Sequence, residues 1–97
     1  MPAYITLVNF TEQGVRNVKG TVDRARAAAQ SSQEAGGRII GTWWTLGPYD
    51  AVIISEGPDD ESAARLLLAA GIQGYVRTMT MRAFSEEEME RIVQGLP

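Results

Sequence analysis

The order of periodicities along this chain leaves few folds open. Residues 4–10, Tyr-Ile-Thr-Leu-Val-Asn-Phe, are rich in β-branched and aromatic side chains and read as a strand. Thr11 fits a helix N-cap, with Glu12 in the first turn where the helix dipole favours an acid. Val15, Val18, Val22, Ala25 and Ala29 follow at spacings of three and four, which is one helical stripe. Gly20 interrupts that stripe and Thr21 can cap afresh, so a break or kink is expected near Lys19–Thr21. Gly36-Gly37 is a glycine C-cap. Residues 38–46 and 49–56 form two strands joined at Gly47-Pro48. Pro58-Asp59-Asp60-Glu61 opens a second helix, Gly71 to Gly74 closes it, and residues 75–84 read as a fourth strand. Ser85 with Glu88 is the capping box of a short last helix carrying Met89, Ile92 and Val93.

That order is βαββαβ plus a C-terminal helix. Right-handed crossovers then give an α+β ferredoxin-like plait, a four-stranded antiparallel sheet with both main helices on one face. With 97 residues the chain supports a single domain, 1–97, and one modest core. Two helices cover only one face of such a sheet, and the other should turn polar at alternate positions. Here it does not. Ile5 and Leu7 alternate with Tyr4, Val8 and Phe10, and Val52 and Ile54 alternate with Ala51 and Ile53. An apolar face of several hundred Å2 is too large for a stable monomer surface, so something must cover it. A second copy of the chain is one cover, giving a homodimer or higher oligomer that buries about 1,200 Å2 or more. The C-terminal helix folding back is the other.

The central hairpin allows two registers. A two-residue loop at Gly47-Pro48 sets Trp44 opposite Ala51 and Trp43 opposite Val52; a three-residue loop including Tyr49 sets Trp44 opposite Val52. One residue of slip exchanges the face each indole takes. In either register one indole lies towards the helices and its neighbour on the open face, where it lines an interface or pocket.

Composition removes several classes of function. A chain that is 44% hydrophobic and 22% charged is of ordinary globular make-up. Its net charge of -3 offers nothing to nucleic-acid phosphates or anionic lipid. With no Cys and no His there is no thiolate, no imidazole base and no usual transition-metal or haem ligand, so no cofactor is expected. No apolar run approaches the length of a membrane helix and no leader opens the chain, so a cytoplasmic location is expected.

Four separated blocks, "TEQG" after the first strand, "LGPYD", "AVIISEGPDD" and "GYVRTMTMRAFSEEE", together resemble the GYD-domain family along essentially the whole chain. The family's Gly-x-Tyr-Asp motif maps onto Gly47, Tyr49 and Asp50, its Glu-x-Pro-Asp block onto Glu56, Pro58 and Asp59, and its Arg-Thr strand onto Arg77 and Thr78. The resemblance implies a ferredoxin-like domain of the dimeric α/β-barrel type and no established activity. The hairpin alone is also similar to the ligand-binding modules of the leucine-responsive regulator family, in which amino-acid effectors bind near this turn at a subunit interface. This chain has no helix-turn-helix and would be a stand-alone module.

Candidate ligand-binding residues are therefore Trp43, Trp44, Tyr49, Asp50, Glu56, Arg77 and Thr78. A carboxylate is among the poorest residues for a strand start. Asp50 either makes an Asx-type bond to its own turn or accepts from a bound amine or hydroxyl. Tyr49 packs its ring with the phenol at the rim. Glu56 pairs with Arg77 or Arg82, or is solvated. Arg77 makes an ion pair across the sheet or anchors a carboxylate. Arg16, Lys19, Arg24 and Arg26 read as a solvated helix face. Met79 and Met81, two apart on a strand, suit a pliable interface or pocket wall. Glu86-Glu87-Glu88 is a helix start, since consecutive helical residues do not converge on a metal. The expected function is a homo-oligomeric small-molecule-binding or regulatory module with its pocket near Gly47–Asp50. A cofactor-free enzyme of the monooxygenase or isomerase kind, and a purely structural assembly domain, are the alternatives.

Overall fold

The computed structural model covers residues 1–97. Its elements are β1 (Ala3–Phe10), α1 (Glu12–Arg16), a 3-10 turn (Val18–Gly20), α2 (Thr21–Glu34), β2 (Arg38–Trp44), β3 (Ala51–Glu56), α3 (Asp60–Gln73), β4 (Val76–Ala83) and α4 (Glu86–Gln94). The strands form one antiparallel sheet in the order β2-β3-β1-β4. Helices α2 and α3 lie over one face, so the architecture is the ferredoxin-like plait with an extra C-terminal helix.

Local chemistry accounts for the element ends. The Thr11 hydroxyl accepts from the Gly14 N–H at 3.1 Å and donates to the Gly74 carbonyl, tying the start of α1 to the end of α3. Gly14 itself presses on the connection from α3 to β4, since a Cβ there would sit 2.0 Å from the Tyr75 carbonyl oxygen. Asp59 accepts from the Ser62 N–H at 2.8 Å, and that bond to the first turn of α3 holds its carboxyl below the usual range. Ser85 and Glu88 form the reciprocal capping box of α4. The bond from the Ser85 backbone N–H likewise lowers the Glu88 carboxyl.

The helical break falls where Gly20 was expected to place it, but it has a consequence for the core. Val15, Val18 and Val22 are 59%, 41% and 44% exposed, so the valine stripe is not a core stripe. The 3-10 turn changes the helical phase between α1 and α2, and residues in phase by counting no longer share a face. What α2 turns towards the sheet is small: Ala25, Ala28 and the buried Ser32.

Cross-strand pairs settle the hairpin. Trp44 faces Ala51 and Trp43 faces Val52, the register of the tighter turn. The strands end earlier than expected, at Trp44 and Ala51, and Gly47 takes a positive φ of 104° in the connection. Trp44 lies on the helix side. Trp43 lies on the open side, its ring laid across Gly41, where a Cβ would come within 2.4 Å of the indole. Alongside it on the open face stand Ile5, Leu7, Val52, Ile54, Met79 and Met81, by the pairings Leu7–Val52, Ile5–Ile54, Leu7–Met79 and Ile5–Met81. Helix α4 does not cover them. It is held to the body by Arg82, which pairs with Glu88 at 3.5 Å, while Met89, Ile92 and Val93 stay exposed.

Candidate functional site

The helix side of the sheet is built from hydroxyls as much as from hydrocarbon. Tyr4, Thr6 and Val8 alternate inward on β1, Ile53 and Ser55 on β3, Thr78 and Thr80 on β4, and Thr42 on β2. The Thr6 and Thr80 hydroxyls bond each other across β1 and β4 at 2.9 Å. The Tyr4 hydroxyl donates to Asp60 at 2.6 Å, joining the sheet to the first turn of α3. Tyr4 is only 5% exposed, and burial together with that bond to a carboxylate pushes its phenol up to about 12.

The helices meet this face with short side chains, chiefly Ala25, Ala28, Ala63 and Ala70, and they leave a cavity of about 290 Å3 between the layers. Its two ends differ. Towards the ends of β1 and β2 it is bounded by Phe10, Trp44, Thr21, Tyr75 and Arg24; towards the other end by Tyr4, Ser31, Ser55 and the threonine pair. The Trp44 indole N–H donates to Thr21 at 3.1 Å, and the Arg24 guanidinium lies 4.2 Å from the centre of the Tyr75 ring. The space opens to solvent, since Ala28, Ser31, Trp44 and Thr78 in its lining are exposed.

The residues singled out in the sequence do not form one site. Trp44 and Thr78 line the cavity; Trp43 stands on the opposite face. Asp50 makes no Asx-type bond to its own turn. Its carboxylate accepts from the Phe10 N–H at 2.8 Å, and its own N–H donates to the Val8 carbonyl at 2.8 Å. Asp50 thus carries the β1–β3 ladder one step past Ala51 with a side chain in place of backbone. The Tyr49 carbonyl accepts from Thr45 Oγ1 at 2.7 Å, and its half-buried ring lies outside the cavity lining. Glu56 pairs with Arg38 at 2.8 Å, not with Arg77 or Arg82, because Arg38 is its cross-strand partner on β2. Glu56 also lies at the far end of β3 from Asp50, about 20 Å along the strand. Arg77 has no carboxylate partner and donates to the Val76 and Gly71 carbonyls at 3.0 and 3.4 Å. No group of three acidic side chains is placed to hold a metal ion.

Two features of the cavity escaped the reading of the sequence. The hydroxyl face is signalled by Thr78-Met79-Thr80-Met81, a strict alternation in which Thr78 is a candidate binding residue but its joining with Thr6, Thr42 and Ser55 in one face is not foreseen. Arg24 reads in the sequence as one of the solvated cations with Arg16, Lys19 and Arg26, and no local signal separates it from them; its position over Tyr75 depends on how α2 meets the segment between α3 and β4.

Residues 4–93 match the GYD domain. The chain belongs to the GYD domain family. A relative from Thermus thermophilus, named glutamine synthetase and cystathionine beta-lyase binding protein, is 32% identical over 84 residues, covering 86% of this chain and 88% of that one. Among solved structures the GYD chain is similar to MtbAldR, with a TM-score of 0.69 and 10% identity, covering 88% of this chain and 52% of that one. It therefore spans about half of MtbAldR. It is also similar to 30S ribosomal protein S6 from Thermotoga maritima, with a TM-score of 0.51 and 17% identity over 96% of this chain and 97% of that one. At such identities these two likenesses concern the GYD fold alone. No helix of this GYD domain is long and apolar enough to cross a membrane.

Proposed function

We propose that this GYD protein is a self-associating regulatory module of the cytoplasm: two copies close their open sheet faces on each other, and the assembly docks on a partner enzyme. The observation that carries the reading is the uncovered sheet face. A compact monomer of this mass exposes about 5,500 Å2, whereas this chain of 10.6 kDa exposes 6801 Å2. That excess of about 1,300 Å2 is spread over the whole chain, α4 and the cleft under the helices included, and the bare face is one part of it. Ile5, Leu7, Val52, Ile54 and Trp43 supply the apolar centre of that face, with Met79 and Met81 on the neighbouring strand. A two-fold axis makes one such patch its own complement, so the same face of a second copy is the simplest cover. The name of the Thermus relative supports an enzyme as the further partner, and glutamine synthetase and cystathionine beta-lyase of the same cell are the two to test.

Light scattering of the purified chain should give twice the monomer mass or more at micromolar concentration. The assembled protein should then bind at least one of the two enzymes in surface plasmon resonance. A monomeric mass for the wild type removes the self-associating module; a dimer that binds neither enzyme removes the docking half of the reading.

A small-molecule effector is a second reading, favoured by the helix-side cavity. The pocket would then lie between the layers, not at the Gly47–Asp50 turn.

A further inference from the structure

We propose that the cavity between the helices and the sheet binds a small organic acid that lacks an amino group. Its anionic group would sit at Arg24 and its apolar body along Val8, Ile53 and Ala28. The inference does not rest on the self-association above, because the cleft lies on the opposite side of the sheet from the bare face.

Charge accounting selects Arg24. The chain has nine cationic side chains, and six of them pair with carboxylates. Lys19, Arg24 and Arg77 do not, and of these three only Arg24 lines the cavity. Its guanidinium is held in place from two sides, by the Tyr75 ring at 4.2 Å and by a bond donated to the Asn17 carbonyl at 2.9 Å. A guanidinium carries five N–H donors, and that one bond leaves most of them for a ligand. A planar, preorganised fork of this kind is suited to a carboxylate.

The rest of the lining narrows the class. No Asp or Glu is among the lining residues. An ammonium group would therefore have no counter-charge there and would be costly to desolvate, which disfavours free amino acids. Behind Arg24 the walls are aliphatic and aromatic, and the far end offers neutral hydroxyls. The volume of about 290 Å3 lies at the small end for ligand sites, about 300–1,000 Å3. One negative charge, an apolar body and a small size describe a short-chain or aryl carboxylic acid.

Hexanoate and phenylacetate are the probes, with hexanamide and norleucine as the uncharged and zwitterionic controls. Trp43→Phe leaves Trp44, in the cavity wall, as the only indole reporter. Hexanoate or phenylacetate should change Trp44 emission and raise the melting temperature, with hexanamide and norleucine binding at least about tenfold more weakly, the size of effect expected from one charge-assisted pair. Arg24→Gln should abolish the preference for acid over amide. Ala28→Leu, which narrows the cleft, should weaken binding of every probe while keeping or raising the melting temperature. Neither acid binding at millimolar concentration overturns the proposal. So does hexanoate binding Arg24→Gln or Ala28→Leu as it binds the wild type. Light scattering on the same samples separates this failure from loss of the oligomer, since a chain that stays dimeric without binding acids fails only here.

Discussion

The two faces of the sheet do not divide as a half-covered sheet ordinarily does: the covered face mixes hydroxyls with Tyr4, Val8 and Ile53, and the bare face has a largely aliphatic centre. The face under α2 and α3 carries Thr6, Thr42, Ser55, Thr78 and Thr80, while the bare face carries Ile5, Leu7, Val52, Ile54, Met79 and Met81. In an antiparallel sheet with one wet side, the hydrocarbon goes under the helices and the hydroxyls go to water. A bare face made of aliphatic side chains is stable only when another surface removes it from water. A covered face that mixes hydroxyls with hydrocarbon and is met largely by alanines leaves room between the layers.

The largest test of that contrast puts a charge on the bare face. Ile54→Lys should leave a protomer folded but cost the interface about 3–5 kcal/mol, the penalty of an unpaired buried charge. Light scattering should then read monomer where the wild type reads dimer. If the variant keeps the oligomer, the bare face is not the contact surface.

On the opposite side the threonine pair allows a double-mutant cycle. Thr80→Val alone leaves the buried Thr6 hydroxyl without its partner and should cost about 1–3 kcal/mol in urea denaturation. Thr6→Val with Thr80→Val removes both and should recover most of that loss. A double variant no better than the single one would mean the two hydroxyls are not coupled.

The turn can be separated from both faces. Asp50→Ala strips the Phe10 N–H of its acceptor and should lower stability by about 1–3 kcal/mol, without changing oligomeric mass. Asp50→Asn keeps an oxygen in place and should lose less. Equal stability for wild type and Asp50→Ala would return the residue to a recognition role.

The smallest effect is a pH dependence. The Tyr4 phenol is raised in the folded chain, so it favours folding fully below its ordinary value near 10. That contribution is lost as pH rises through about 12. Thermal unfolding between pH 9 and 11.5 should therefore fall more steeply for wild type than for Tyr4→Phe, which has no phenol to ionise. Parallel curves for the two proteins would mean that the phenol titrates alike folded and unfolded.

What the sequence determined by itself is whatever depends on near neighbours in the chain. Thr11, Asp59 and Ser85 each cap the helix they precede, because a cap reaches only two or three residues ahead. The break at Gly20, the element order and the division of Trp43 and Trp44 between two faces follow from local periodicity in the same way. So did the apolar alternation on β1 and β3 that leaves one sheet face uncovered. The tertiary structure decided everything that needs two distant segments to meet. Glu56 takes Arg38 because β2 runs beside β3 in one register, and Asp50 is spent on Phe10 because β1 ends beside the turn. The valine stripe fails as core because a 3-10 turn rotates α1 against α2. The cavity with Arg24 at its end exists only when alanines from two helices are laid over threonines from three strands. No stretch of sequence contains that juxtaposition, since packing space is a property of the layers together and not of any one of them.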